Sequence, residues 1–140
     1  MSDRYEDDTV LWAERQADAL RRRASNELDW ENVAEEIESL ARTDRREIRS
    51  RLVILCQHLL KWQFQPEARS NSGRSSIHEA RDRIADLIEE SPSLAAYPGA
   101  QLSDSYERGR KLALIETEIA GLPASCPWTI EQVLDPDFYD

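Results

Sequence analysis

Helix-breaking residues are scarce. There are four glycines and six prolines in 140 residues, the first proline is Pro66 and the first glycine is Gly73. Both residue types punctuate helices and build turns, so a hairpin-rich fold is excluded for the first half. Long apolar runs are also missing. The longest, Leu52 to Cys56, has five residues, against about 20 needed to cross a bilayer, so no membrane span is expected. The two cysteines, Cys56 and Cys126, are too few for a disulfide framework or a zinc site and are expected to be reduced thiols. Met1 to Asp8 carries four acids and no apolar stretch, unlike a secretory signal, so the cytoplasm is the expected location. No Gly-rich phosphate loop, zinc-ligand spacing or nucleophile elbow occurs, and no cofactor and no metal is implied.

What is present is charge and helical periodicity. The chain is 40% hydrophobic and 33% charged with a formal net charge of −10, which suits a globular domain rather than a disordered or membrane chain. The charge is uneven. Residues 1–41 carry 5 basic and 12 acidic groups, residues 42–83 carry 10 and 5, and residues 84–140 carry 3 and 11. A basic middle between acidic flanks is either an anion-binding face or the internal complement of the acidic helices, and the second reading needs no partner. Sixteen of the eighteen basic residues are arginine, whose forked donor serves both readings.

Apolar residues recur at steps of three and four, which predicts an all-α single domain over residues 1–140: a bundle of about four long helices with a short C-terminal helical segment. Asp7 or Asp8 caps a first helix to about Ala24, with Val10, Ala13, Ala17, Leu20 and Ala24 as its inner face. Asp29 caps a second, with Val33, Ala34, Ile37, Leu40 and Ala41 inward. The pattern resumes at Ile48. Leu52, Leu55, Leu59 and Trp62 continue it while Val53, Leu60 and Phe64 point the opposite way, so this helix is either central or lends its second face to a partner. Residues 30–64 form one helix or break near Thr43, where Asp44 to Glu47 resembles a capping box. Residues 67–76 have loop composition, Ser75 or Ser76 caps a helix to about Glu90, and a last long helix follows Pro98-Gly99 with Leu102, Tyr106, Gly109, Leu112, Ala113 and Ala120 inward. Thr129 caps a short helix to Leu134, after which Phe138 and Tyr139 tuck back.

Four polar residues fall on or beside apolar faces: His58 and Lys61, one turn apart, Arg81, and Glu116. Buried there, they must pair. One reading is a structural network joining three helices. The other is an acid–base pocket, since a buried His, Lys and Glu at a helix crossing acquire shifted pKa values. Glu35-Glu36-Ile37-Glu38 is not a carboxylate metal motif, because neither His58 nor His78 has a Glu three residues before it, and Glu31, Glu35 and Glu38 lie toward solvent or a partner. The arginines from Arg42 to Arg83 offer a nucleic-acid reading, weakened by Asp44, Glu47, Glu67, Glu79 and Asp82 among them.

Trp12, Leu28-Asp29, Asn32, Ala34-Glu35-Glu36-Ile37-Glu38-Ser39-Leu40 and His58-Leu59-Leu60-Lys61-Trp62-Gln63 occur in that order. Ser91-Pro92-Ser93-Leu94, Tyr106, Glu116-Thr117, Cys126-Pro127-Trp128-Thr129, Glu131-Gln132 and Leu134-Asp135 follow. Together they resemble the bacterial domain-of-unknown-function family numbered 29 over nearly the whole chain. The resemblance implies an all-helical cytoplasmic protein and carries over no activity, substrate or cofactor. It includes His58, Lys61 and Glu116 among the motif residues. The chain departs from the family at Asn71-Ser72-Gly73-Arg74, where a Ser-x-Ser-Trp-like stretch is common, so no stacking role passes to that loop. The leading functional expectation is a non-enzymatic protein-interaction module, whose partner is another protein or a second copy. An enzyme with a pocket around His58, Lys61 and Glu116 is the alternative, and nucleic-acid binding by residues 42–83 is third.

Overall fold

With no Gly or Pro to interrupt it, the chain from Thr9 to Phe64 forms only two long helices. The computed structural model describes residues 2–139. Its helices are α1 (Thr9–Arg21), α2 (Trp30–Phe64), α3 (Asn71–Glu90), α4 (Tyr97–Thr117) and α5 (Ile130–Leu134), and single 3-10 turns occupy Ser25–Glu27, Pro66–Ala68 and Pro92–Leu94. No strand occurs among the described residues. The fold is all-α with four long helices and a short C-terminal one.

α2 is unbroken over 35 residues, about 50 Å at 1.5 Å per residue. The capping-box pattern at Asp44 starts no new helix. Arg42 reaches back to Glu35 at 2.7 Å and Glu38 at 3.7 Å, i,i+7 and i,i+4 pairs that hold the helix N-terminal to that point. The chain nevertheless divides into two compact units, one up to Thr43 and one from Asp44.

The first unit is a helical hairpin closed mainly by polar contacts. Asp8 caps α1 by accepting the Leu11 N–H. The Trp12 indole N–H donates to Asp29 at 3.0 Å, the Asp29 N–H donates to the Gln16 side chain at 2.7 Å, and the Tyr5 hydroxyl donates to Glu36. The Tyr5 ring meets Trp12 edge-on at 4.8 Å. Pairing of 5 with 36, 12 with 29 and 16 with 29 makes α1 and the start of α2 antiparallel. Only Trp12 and Ala19 of α1 are fully buried. The expected inner faces are therefore corrected: Val10 and Leu20 of α1, and Ile37 and Leu40 of α2, are exposed. The hairpin closes on the Trp12 side because that side carries the complementary hydrogen-bonding groups, and the aliphatic stripes are left outside.

The second unit has the apolar core. Ile48, Leu52, Leu55, Cys56, Leu59 and Leu60 of α2 are fully excluded from solvent. They pack with Ile77, Ala80, Ile84 and Leu87 of α3, Tyr106 and Ala113 of α4, and Val133 of α5. Both apolar faces of this half of α2 are thus covered by the chain itself, Leu60 completely and Val53 and Phe64 in part. α3 begins at Asn71, earlier than its composition suggests, because the Ser70 hydroxyl accepts the Gly73 N–H and caps it. α4 ends at Thr117 with Glu118 in the left-handed region (φ 55°), so Ala120 lies beyond it, and Leu112 is exposed rather than inward. A capping box of Thr129 and Gln132 starts α5. Trp128 donates to Gln63 at 3.2 Å and its ring meets both Tyr106 and Tyr139 edge-on, which holds the C-terminal segment on the core.

Candidate functional site

Three of the four polar residues singled out by periodicity come together where α2 meets α4 in the second unit. The Lys61 ammonium donates to Glu116 Oε2 at 2.7 Å, and the Gln57 amide donates to the other carboxylate oxygen. Gln57 was not among the sequence candidates. Its signal is its place between Cys56 and His58 on a helix apolar on two sides, where a buried amide needs a partner. The fourth candidate, Arg81, is elsewhere: it is buried in α3 and its Nε donates to the Val133 carbonyl at 2.9 Å. It ties α3 to α5, whereas the side chains acting on Glu116 are Lys61, His58 and Gln57, all of α2.

The electrostatics follow from this pairing. Glu116 is held below the usual carboxylate range, first by the hydrogen bond from Lys61 and also by His58 and Gln57. Burial, reinforced by the Lys61 charge, holds His58 below its ordinary value of 6.5. His58 is therefore neutral near pH 7, and Lys61 and Glu116 satisfy each other. Burial pushes the Cys56 thiol up, which makes it a poor nucleophile.

The depressed His58 value has a measurable consequence. As pH falls below 6.5 the unfolded chain takes up a proton that the folded chain resists. The folded state is thus fully favoured above that pH and loses stability as pH falls through the lowered folded value. His58→Gln is expected to flatten the decline of Tm between about pH 7 and pH 5. An unchanged slope would show that His58 is not desolvated.

Beside this cluster lies a cleft of about 140 Å³ lined by His58, Lys61, Trp62, Arg69, Ser70 and Gly73 among others. The Arg69 guanidinium lies 5.1 Å from the centre of the Trp62 ring, and its Nε donates to the Trp62 carbonyl at 2.8 Å. Pockets that enclose organic ligands run to roughly 300–1,000 Å³, so this one is sized for a few waters or a small ion. No group of three His, Cys, Asp or Glu among the described residues is placed to hold a metal ion.

The arginines of the basic segment are largely engaged within the chain. Arg42 pairs with Glu35 and Glu38, Arg83 with Glu47, and Arg51 with Glu79 at 3.8 Å. Arg49 donates to the Tyr97 hydroxyl and Arg45 lies over the Tyr97 ring. The basic middle is thus answered by acids and aromatics of its own unit.

The other distinctive surface is apolar. In the first unit Val10 is 69% exposed, Leu20 50%, Trp30 63%, Ile37 62% and Leu40 69%. Single exposed apolar residues are ordinary, but five large ones in one small unit are not.

The fold and these two features define an all-helical protein with a polar cluster that is not buried as expected, since the Glu116 side chain is exposed, a solvent-facing apolar hairpin and no helix among the described residues long and apolar enough to cross a membrane. The chain belongs to the family described as Domain of unknown function DUF29, whose model matches residues 4–139. No curated protein and no solved structure matches it.

Proposed function

We propose that the chain is a non-enzymatic protein-interaction module whose working surface is the exposed apolar side of the α1–α2 hairpin. The observation that carries this is the exposure of Val10, Leu20, Trp30, Ile37 and Leu40 in a unit whose α1 buries only Trp12 and Ala19. A hairpin of some 40 residues is at the size where a chain struggles to bury enough surface alone, and covering this face would supply what it lacks. The polar cluster supports the same reading. Acid–base chemistry needs a group free to exchange a proton with a substrate, and with Lys61 and Glu116 joined to each other the remaining group, His58, faces a cleft of about 140 Å³, below the size that encloses an organic ligand. Two unbridged thiols, one fully buried, suit a reducing compartment such as the cytoplasm.

The test is a photo-activated crosslinker placed in the full chain at Ile37 or Leu40, with exposed Asp82 as the control position, irradiated in the source cell. Discrete protein adducts from positions 37 and 40, and none from 82, are expected. No adduct from either position would overturn the proposal.

A further inference from the structure

The helical register places the apolar residues of the first unit more definitely than their exposures alone. On α1 the contact side is marked by Trp12, Gln16 and Ala19, and Val10, Ala13, Ala17 and Leu20 centre about 110° clockwise of it, viewed from the helix N-terminus at 100° per residue. On α2 the contact side is marked by Asp29 and Glu36, which accept from Trp12 and Tyr5, and Trp30, Ala34, Ile37 and Leu40 centre at a similar clockwise angle viewed from their own N-terminus. Because the two helices are antiparallel, equal clockwise turns carry both stripes to the same side of the hairpin. Val10 to Leu20 and Trp30 to Leu40 each span about 15 Å, so the two stripes lie side by side on one apolar face about three helical turns long.

The borders of this face are acidic. Continuing the same rotation past the apolar stripe brings Glu14 and Asp18 to the outer edge on α1, and Glu31, Glu35 and Glu38 to the outer edge on α2, all exposed. Arg21 and Arg42 are the basic residues on those edges, and Arg42 is committed to Glu35 and Glu38. Residues 1–43 as a whole carry twelve acidic against six basic groups. A second copy seated on this face would bring two such acidic units together, and an anionic lipid surface would be repelled in the same way. An occupant that buries the stripes and reverses the charge at both edges is an amphipathic helix with lysine or arginine beside its apolar face.

We infer that the apolar face shared by α1 and the N-terminal part of α2 receives a basic amphipathic helix of a partner protein. This rests on the interaction-module reading and goes beyond it by fixing the secondary structure and charge of the partner segment.

The probe is an 18-residue synthetic helix with leucine at i, i+3, i+4 and i+7 repeats and lysine elsewhere, titrated into the full chain by calorimetry at two salt concentrations. Two control peptides replace lysine with glutamate, or leucine with serine. The Lys/Leu peptide is expected to bind with an affinity that falls as salt rises, and both controls at least tenfold more weakly. Ile37→Gln combined with Leu40→Gln changes only exposed side chains, keeps the helical circular dichroism, and is expected to weaken the Lys/Leu peptide at least tenfold. Equal binding to the double variant would show charge attraction without the apolar face and overturns the inference. Sedimentation of the free chain separates the two proposals. A dimer that this double variant dissociates means that a second copy covers the face, which overturns the basic-helix inference and leaves the interaction module standing. A monomer with no peptide binding and no crosslinked adduct overturns both.

Discussion

Gly109→Ala is expected to lower the Tm of the second unit by several degrees. A Cβ built at Gly109 would lie 2.7 Å from the Val53 carbonyl oxygen and 2.9 Å from both the Cys56 Cβ and the Gln57 backbone nitrogen. Two of these three atoms are α2 backbone, so no rotamer change relieves the contact, and α4 must move off α2. That separation loosens the packing of Cys56 and Ala113 and lengthens the Gln57 and Lys61 bonds to Glu116. Overpacking of this kind costs about 1–3 kcal/mol. The better helix propensity of alanine returns up to about 1 kcal/mol, which leaves a net loss. Gly73→Ala is the control, because its Cβ would meet only the Ser70 hydroxyl at an ordinary 3.5 Å and is expected to be neutral or stabilising. Thermal melts of the two variants side by side test the α2–α4 approach. If Gly109→Ala melts with the parent chain, the two helices are not in backbone contact there.

That glycine also shows where the sequence is legible and where it is not. Periodicity puts Gly109 on the inner face of its helix, and most of the second unit obeys periodicity, with Leu112 an exception: Leu52, Leu55 and Leu59, and Ile77, Ala80 and Ile84 at the same steps of three and four, are buried. It does so because many apolar residues compete for one interior and the hydrophobic term dominates. In the first unit the same rule gives the wrong face. Val10, Leu20, Ile37 and Leu40 have helical spacing but stay in solvent, since the hairpin closes through Trp12, Gln16, Asp29 and Tyr5. Spacing records which residues share a face; which face meets a neighbour depends on the neighbour. The polar cluster divides the same way. Lys61 and Glu116 meet because each is the nearest opposite charge across one helix contact, while Arg81 turns to a backbone carbonyl of α5, a partner with no sequence signature. A helix start was missed for a related reason: Ser70, Ser72, Ser75 and Ser76 have the same composition, and only the hydroxyl of Ser70 reaches an orphan N–H at the first turn.

Trp12→Ala is expected to detach α1 altogether. The Trp12 side chain is 5% exposed, supplies the largest apolar surface buried in the hairpin, and anchors two further groups, the Asp29 carboxylate through its indole N–H and the Tyr5 ring through an edge contact. Asp29 in turn accepts from Asn32 at the start of α2, a bond that holds its carboxyl below the usual range together with the one from Trp12. Removing a buried tryptophan costs about 3–5 kcal/mol. A two-helix unit with one other fully buried α1 side chain, Ala19, has little else to oppose that loss. Hydrogen exchange read by mass spectrometry is expected to show α1 and the Arg22–Asp29 connection losing protection. The amides around Ile48 to Leu60, whose side chains are fully excluded from solvent in the second unit, keep theirs. Trp12→Phe keeps an aromatic ring in place but loses the hydrogen bond and part of the buried ring volume, so a penalty of about 1–3 kcal/mol, smaller than that of Trp12→Ala, and a hairpin still protected are expected. The same variants bear on function. If the apolar face is the working surface, Trp12→Ala abolishes binding of the Lys/Leu peptide although Trp12 is not part of that face, and Trp12→Phe retains it. Unchanged protection of α1 in Trp12→Ala would mean that the hairpin is held by contacts other than those through Trp12, and the proposed binding face would lose its structural basis.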